Sequence, residues 1–211
     1  MRAHRVNAVT ASAAALALGV AAWAWAGAGS GAEPQPSGGT VTEPLRAEHR
    51  ELVPSIEALA AAAEAVGTAS PDEQRKRADS SYAFLTTRLI PHAVAEDRVL
   101  YATVDSLLAG RGKTRATDTM RRDHAQVGTL TAELGRLRGR LDRAAPGPDV
   151  REDLRRVLYS LHAIVALHFA KEEEVYLPLL DRELPPERAR EMFQRMEAAE
   201  KQARGGGKAP H

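Results

Sequence analysis

The chain contains no cysteine, few aromatic residues and no excess of charge of either sign. The absence of cysteine excludes disulfides, thiolate metal ligands and iron–sulfur clusters. Aromatic residues make up only 4% of the 211 residues, and 29 Lys and Arg residues stand against 28 Asp and Glu residues. A base-stacking surface and a basic nucleic-acid-binding face are therefore both disfavoured. No segment alternates polar and apolar residues as a strand does, which predicts an all-α fold.

The first 26 residues have the pattern of an export signal. Arg2 and Arg5 precede a strictly apolar run, Ala13–Ala26. Its length fits the core of a signal peptide, about 7–15 residues, better than a membrane span of about 20. Cleavage after this segment is one interpretation, and its retention as a weak anchor is the other. Both predict an extracytoplasmic protein, secreted, periplasmic or on the cell surface, that meets a membrane only through an uncleaved N-terminus.

The rest of the chain divides into a linker, a helical body and a tail. Residues 27–42 are rich in Gly, Ser and Pro, which predicts a flexible linker. Residues 43–181 contain four long helical segments separated by turns with Gly or Pro, and this predicts an up-down-up-down four-helix bundle. Residues 182–203 predict a short C-terminal helix that caps one end of the bundle. Residues 204–211 predict a disordered tail.

Each predicted bundle helix carries a histidine within an apolar stripe. On the fourth helix the stripe consists of Leu154, Leu158, Leu161, Val165, His168, Glu172, Val175 and Leu179. His168 and Glu172 are four residues apart and share one helix face. Burying an imidazole and a carboxylate among aliphatic side chains is costly unless another group satisfies them. A metal ion can satisfy both.

This pattern occurs twice along the chain. The second predicted helix carries His92 and Glu96 with the same spacing, and each pair follows a lone histidine that comes directly after an acid. The sequence thus predicts one helical hairpin used twice, with a lone histidine on its first helix and His-x-x-x-Glu on its second. We expect the four stripes to converge on one metal site with six ligands: His49, His92, Glu96, His124, His168 and Glu172.

Other polar residues near the stripes are predicted to lie outside the site. His162 is turned about 120° from His168, and Tyr101 is turned about 180° from His92, on an α-helix of 3.6 residues per turn. We therefore expect His162 on the flank of its helix and Tyr101 away from the ligands. The acidic residues that follow the two glutamates are expected on solvated helix surface, with hydrogen bonding to the ligands as the less favoured alternative: Asp97, Glu173 and Glu174.

The six residues, in this order and spacing, resemble the hemerythrin-like family in its HHE cation-binding branch. The resemblance covers about residues 43–181. It implies a bundle that holds two non-haem irons, with the four histidines as terminal ligands and Glu96 and Glu172 as bridges. Imidazole and carboxylate donors without thiolate also suit zinc or manganese.

The sequence differs from the oxygen-carrying members of that family at two places. Those members have a second histidine one turn after the first on the third helix, where this chain has Gly128. They also have an aspartate five residues after the last histidine, where this chain has Glu173. Fewer histidines leave more coordination positions open for water, dioxygen, peroxide or nitric oxide. The resemblance therefore implies a protein that binds or reacts with dioxygen or reactive oxygen and nitrogen species, rather than a reversible carrier.

Three other functions stay open at this point. The centre could turn over peroxide or nitric oxide as an enzyme, it could store or pass on iron, or it could hold structural zinc. The sequence indicates no catalytic residue outside the ligand set, and the partner class that it indicates is a small molecule.

Overall fold

The computed structural model describes residues 39–112, 115–141 and 147–205, all in the unit Gly39–His211. The predicted export signal at 1–26, most of the predicted linker at 27–42 and most of the predicted tail at 204–211 lie outside the described residues. Within those ranges no helix has both the length and the hydropathy needed to cross a membrane.

The described residues form five helices and no strand. They are α1 (Glu43–Ala65), α2 (71–109), α3 (Asp118–Leu141), α4 (148–183) and α5 (Pro186–Gly205). Local signals fix several ends. Gly67 follows α1 with a φ of 84°, a conformation that suits glycine because it has no Cβ. Ser70 caps α2 through its side chain, which accepts a hydrogen bond from the backbone N–H of Glu73, and Pro71 occupies the first turn.

The first four helices form an antiparallel bundle. The start of α1 meets the end of α4, where Thr42 donates to Asp181. The start of α2 likewise meets the end of α3, where Arg75 donates to the carbonyl of Leu141. Each helix packs against two neighbours in the cyclic order α1, α2, α3 and α4. This confirms the predicted up-down-up-down bundle, and α5 adds the predicted C-terminal helix.

Two bundle helices contain π-helical turns, which the sequence pattern did not predict. They span Leu85–Leu89 and Glu96–Leu100 in α2, and Glu172–Tyr176 in α4. The backbone N–H groups of Tyr101 and Leu177 bond to the carbonyls of Glu96 and Glu172, five residues earlier. Each π turn holds one extra residue, so every side chain beyond it is shifted around the helix.

Because of this shift, the prediction that Val175 lies in the core is wrong. The spacing of the apolar stripe predicts a buried Val175, but this residue is 57% exposed. Leu177 is fully buried instead, because five residues, not four, complete the turn that begins at Glu172. Leu179 stays buried.

A polar layer divides the interior into two apolar clusters. One cluster, which includes Leu52, Leu89, Val127 and Val165, fills the bundle toward the α1–α2 turn. The other, which includes Leu45, Val99, Met120 and Leu177, also takes up the apolar face of α5. The α5 residues in this second cluster are Ala189, Met192, Met196 and Ala199. All six predicted ligands lie between the two clusters.

Candidate metal centre

The six predicted ligands converge at one level of the bundle. His49 comes from α1, His124 from α3, and the two His-x-x-x-Glu pairs come from α2 and α4. Glu96 and Glu172 have no solvent exposure, and the side chains of the four histidines are between 3% and 9% exposed. The ligands are buried because each lies within an apolar helix stripe, and these stripes pack in the bundle interior.

Each glutamate faces one histidine from each hairpin. Glu96 lies 2.9 Å from His92 Nε2 and 3.3 Å from His124 Nε2. Glu172 lies 3.4 Å from His49 Nε2 and 3.5 Å from His168 Nε2. These separations are close to the roughly 3 Å expected between neighbouring ligand atoms that each lie about 2.1 Å from one cation.

The donor atoms form two three-residue groups that share a glutamate. His49, His92 and Glu96 form one group, and Glu96, His124 and His168 form the other, with all donor atoms of a group within 4.8 Å of one another. Two adjacent cation positions with a carboxylate between them are compatible with this arrangement.

Five buried atoms of this layer have no hydrogen-bond partner among the described residues. They are His49 Nε2, His92 Nε2, both carboxylate oxygens of Glu96, and Glu172 Oε2. Some of these nitrogen and oxygen atoms lie within ion-pair distance of one another, but the geometry of these contacts is not that of a hydrogen bond. A buried unsatisfied polar atom costs about 1–3 kcal/mol. A metal ion removes this cost, so the residues present fit a metal.

Four further carboxylates lie around the histidines, on the side away from Glu96 and Glu172. The Nδ1 atom of each histidine faces one acid: Glu173 at 2.8 Å from His49, Glu48 at 3.1 Å from His92, Asp97 at 2.9 Å from His124, and Asp123 at 3.3 Å from His168. We call these four acids the outer carboxylates. An acid at Nδ1 keeps the proton there and leaves Nε2 free to bind a metal.

The assignment of Asp97 and Glu173 to solvated surface was therefore wrong. Both are about one-third exposed, but each accepts from a ligand histidine on the other hairpin. The signal was present in the sequence as a repeat. An acid precedes each lone histidine and an acid follows each ligand glutamate, in both hairpins.

Tyr101 also lies in the site, against the prediction. Its side chain is fully buried, and its hydroxyl donates to Glu172 Oε1 at 2.5 Å and lies 3.0 Å from His168 Nε2. The physical reason is the π turn that begins at Glu96. In a π turn, residues five apart share a face, so Tyr101 lies on the face of Glu96. Burial and the nearby carboxylates raise the pKa of its phenol, which keeps the proton on the oxygen.

His162, unlike Tyr101, lies outside the centre. His162 is partly exposed and faces Glu57 at 3.4 Å, as its position on the helix predicted. A Cβ built on Gly128 meets no atom within 4 Å.

Three histidines and Glu96 favour each other's charged forms in the metal-free layer. Burial lowers the pKa of His49 and of His124, but the surrounding carboxylates outweigh it and raise each pKa to about 9. The same balance raises the pKa of His92 well above its usual value. Burial raises the pKa of Glu96, but the histidines around it hold that pKa well below its usual range. A cation that enters must therefore displace protons from the histidines.

Two cavities adjoin the centre. A cavity of about 10 Å³ lies directly at Glu96, between histidines and the apolar side chains of Val127, Val165 and Phe169. A larger cavity of about 500 Å³ lies between α1, α2 and α5 and reaches Glu48 and His92. We call these the inner and the outer cavity.

Comparison with known proteins gives one match. The family described as "Hemerythrin HHE cation binding domain" matches residues 40–180 and, in an overlapping match, residues 115–207. Searches of curated proteins and of solved structures give no significant match.

Proposed function

Because the chain belongs to the hemerythrin HHE cation-binding domain family, we propose that it holds a non-haem di-iron centre that binds or reacts with dioxygen or with reactive oxygen and nitrogen species. We further propose that the protein acts outside the cytoplasm. The N-terminal pattern of Arg2, Arg5 and the apolar run Ala13–Ala26 supports export.

The observation that carries the proposal is the layer of buried, unsatisfied donor atoms. Metal would be held by His49, His92, Glu96, His124, His168 and Glu172. Two carboxylates and four imidazoles without thiolate suit iron, manganese or zinc. A bound iron pair would supply open coordination positions and a change of oxidation state. Among the three metals, the family resemblance favours iron.

The size of the inner cavity supports a very small ligand. At about 10 Å³ it has room for about one water-sized molecule. Its lining combines three ligand histidines with aliphatic and aromatic side chains. A space this small favours a ligand of the size of dioxygen, nitric oxide or peroxide over an organic substrate.

Tyr101 favours turnover of peroxide or nitric oxide as a second candidate function. Its buried hydroxyl lies at hydrogen-bond distance from two proposed ligands. A hydroxyl that keeps its proton at the centre would be placed to donate a hydrogen bond to an oxygen species during its reduction. A protein that only stores iron has no need of such a group.

Metal analysis and optical spectroscopy of the aerobically purified protein test the proposal. We expect two irons per chain, and an absorption spectrum that changes when the reduced protein meets oxygen. One metal per chain, or zinc alone after growth in iron-replete medium, would reject the di-iron centre. Consumption of peroxide or nitric oxide over many turnovers per iron would favour the second candidate.

A further inference from the structure

The outer carboxylates differ in what supports them. Three of the four also contact a basic side chain. Glu173 pairs with Arg46, Asp123 with Lys171, and Asp97 with Arg121. Glu48 has no such support, since His92 is its only hydrogen-bond or ion-pair partner among the described residues. A carboxylate with a single partner is easier to move than one held from two sides. The contact between Glu48 and His92 is therefore the least restrained of the four.

His92 forms the wall between the two cavities. It lines the outer cavity together with Glu48, and it lines the inner cavity together with Glu96. Of the described residues, it is the one common to both linings. Its side chain is 97% buried, and its Nε2 atom has no hydrogen-bond partner. A rotation of this one imidazole would join the inner cavity to the outer one.

The outer cavity carries an excess of negative charge. Four acidic residues line it against two arginines: Glu48, Glu51, Glu197 and Glu200 against Arg88 and Arg204. Both arginines pair with acids of the same lining, Arg88 with Glu51 and Arg204 with Glu200. Neither arginine pairs with Glu48 or Glu197, so the cavity keeps a net negative charge that attracts cations from solvent.

We propose that the two cation positions of the centre are unequal, and that the position formed by His49, His92 and Glu96 exchanges a divalent cation with solvent through the outer cavity. Glu48 is the positioning residue that controls this exchange. While it holds Nδ1 of His92, the imidazole separates the two cavities. When it releases that nitrogen, His92 turns toward the outer cavity, and the cation that it holds passes into that cavity. This inference rests on the proposed dinuclear centre.

The other position, formed by Glu96, His124 and His168, borders the inner cavity but not the outer one, so a cation there reaches the outer cavity only past the position of His92. Of its two outer carboxylates, Asp123 accepts a hydrogen bond from Lys171. Arg121 donates to the backbone carbonyl of Asp97 and lies 3.7 Å from the Asp97 carboxylate. The Tyr101 ring also stacks on His124, with ring centroids 5.6 Å apart. The guanidinium carbon of Arg121 lies over the Tyr101 ring, 5.4 Å from its centroid. A cation there is enclosed by side chains that are themselves fixed.

Iron release to a chelator tests the inference on the loaded full-length protein. We expect the unmodified protein to release two irons per chain in two phases of equal amplitude. Glu48→Gln keeps the shape of the side chain and removes its charge. It should accelerate the fast phase by about tenfold, since loss of such a partner changes metal affinity by about 10–100-fold. The slow phase should not change.

Asp123→Asn is the matched control, because it weakens the same contact at His168 in the enclosed position. It should accelerate the slow phase alone. Glu197→Trp, at an exposed site on α5, should narrow the outer cavity and slow the fast phase without unfolding the protein. A single release phase, or acceleration of the same phase by Glu48→Gln and Asp123→Asn, would overturn the inference. Fewer than two irons per chain before release would instead reject the proposed di-iron centre.

Discussion

The hydroxyl of Tyr101 lies 2.5 Å from Oε1 of Glu172 and donates a hydrogen bond to it across the bundle, from α2 to α4. Both groups are fully buried. This contact supplies one of the two oxygens of Glu172 with a donor, while the other oxygen has none among the described residues. The tyrosine therefore orients the carboxylate before any metal binds.

We expect Tyr101→Phe to lower the free energy of unfolding of the metal-free protein by about 1–3 kcal/mol, because Glu172 Oε1 is left buried without a donor. The number of bound metals should stay unchanged, because the six proposed ligands are intact. Urea denaturation and elemental analysis measure the two quantities. Tyr159→Phe is the control, since Tyr159 is 41% exposed. Equal unfolding free energies for the two variants would contradict the buried hydrogen bond.

Removal of a ligand should lower both metal content and melting temperature. We expect this for His168→Ala and for Glu172→Ala, while His162→Ala should change neither. A metal that binds only the folded state at 100 times its Kd stabilises it by about 2.7 kcal/mol, and this contribution is lost with the metal. Thermal melts with and without chelator, together with elemental analysis, measure the effect. If His162→Ala matched the other two, His162 would belong to the site.

The π turn in α4 should be visible in stability measurements. We expect Leu177→Ala to destabilise the protein by about 2–5 kcal/mol, as for other buried leucines. Val175→Ala should change stability by no more than about 0.5 kcal/mol, because the side chain is largely exposed. Chemical denaturation of both variants gives the two values. An uninterrupted α-helix would reverse their order.

Gly128 should determine how the reduced protein responds to oxygen. We expect the reduced, iron-loaded protein to be oxidised by dioxygen without holding it reversibly, because glycine supplies no imidazole one turn after His124. The space around its Cβ position leaves room for Gly128→His, which should change the optical spectrum of the loaded protein. Cycles of oxygenation and deoxygenation followed by absorbance test this.

Gly128→Ala separates ligand effects from helix effects in that experiment. It should stabilise α3 by up to about 1 kcal/mol, since alanine is the better helix former, and leave the oxygen response as it was. An oxygen-dependent band in the unmodified protein that disappears on deoxygenation and returns on re-exposure would contradict the prediction.

The fold was predictable because its signals are local and periodic. Apolar stripes, the Ser70–Pro71 start of α2 and the Gly67 end of α1 act within one or two turns of helix. The convergence of the six proposed ligands also followed from their places in those stripes. Whether they bind metal, and which metal, stays a prediction that the experiments above address. The same holds for the export signal, which lies outside the described residues.

The parts that were not predicted depend on distances across the bundle or on an irregular helix. A period of 3.6 residues places Tyr101 opposite His92, and the extra residue of a π turn cannot be recognised from that period. The contacts of Asp97 with His124 and of Glu173 with His49 join different hairpins. These contacts depend on how the two hairpins pack against each other. The spacing of residues along one helix does not determine that packing.

Several histidine–carboxylate contacts of the centre join one hairpin to the other. Glu96 meets His124, Glu172 meets His49, and the outer carboxylates Asp97 and Glu173 cross in the same way. The first hairpin alone holds the group of His49, His92 and Glu96, but the two carboxylates that face His49, those of Glu172 and Glu173, come from the second hairpin. The contacts of His49 and of His124 with acids of the opposite hairpin therefore form only after the second hairpin has been synthesised and has docked on the first.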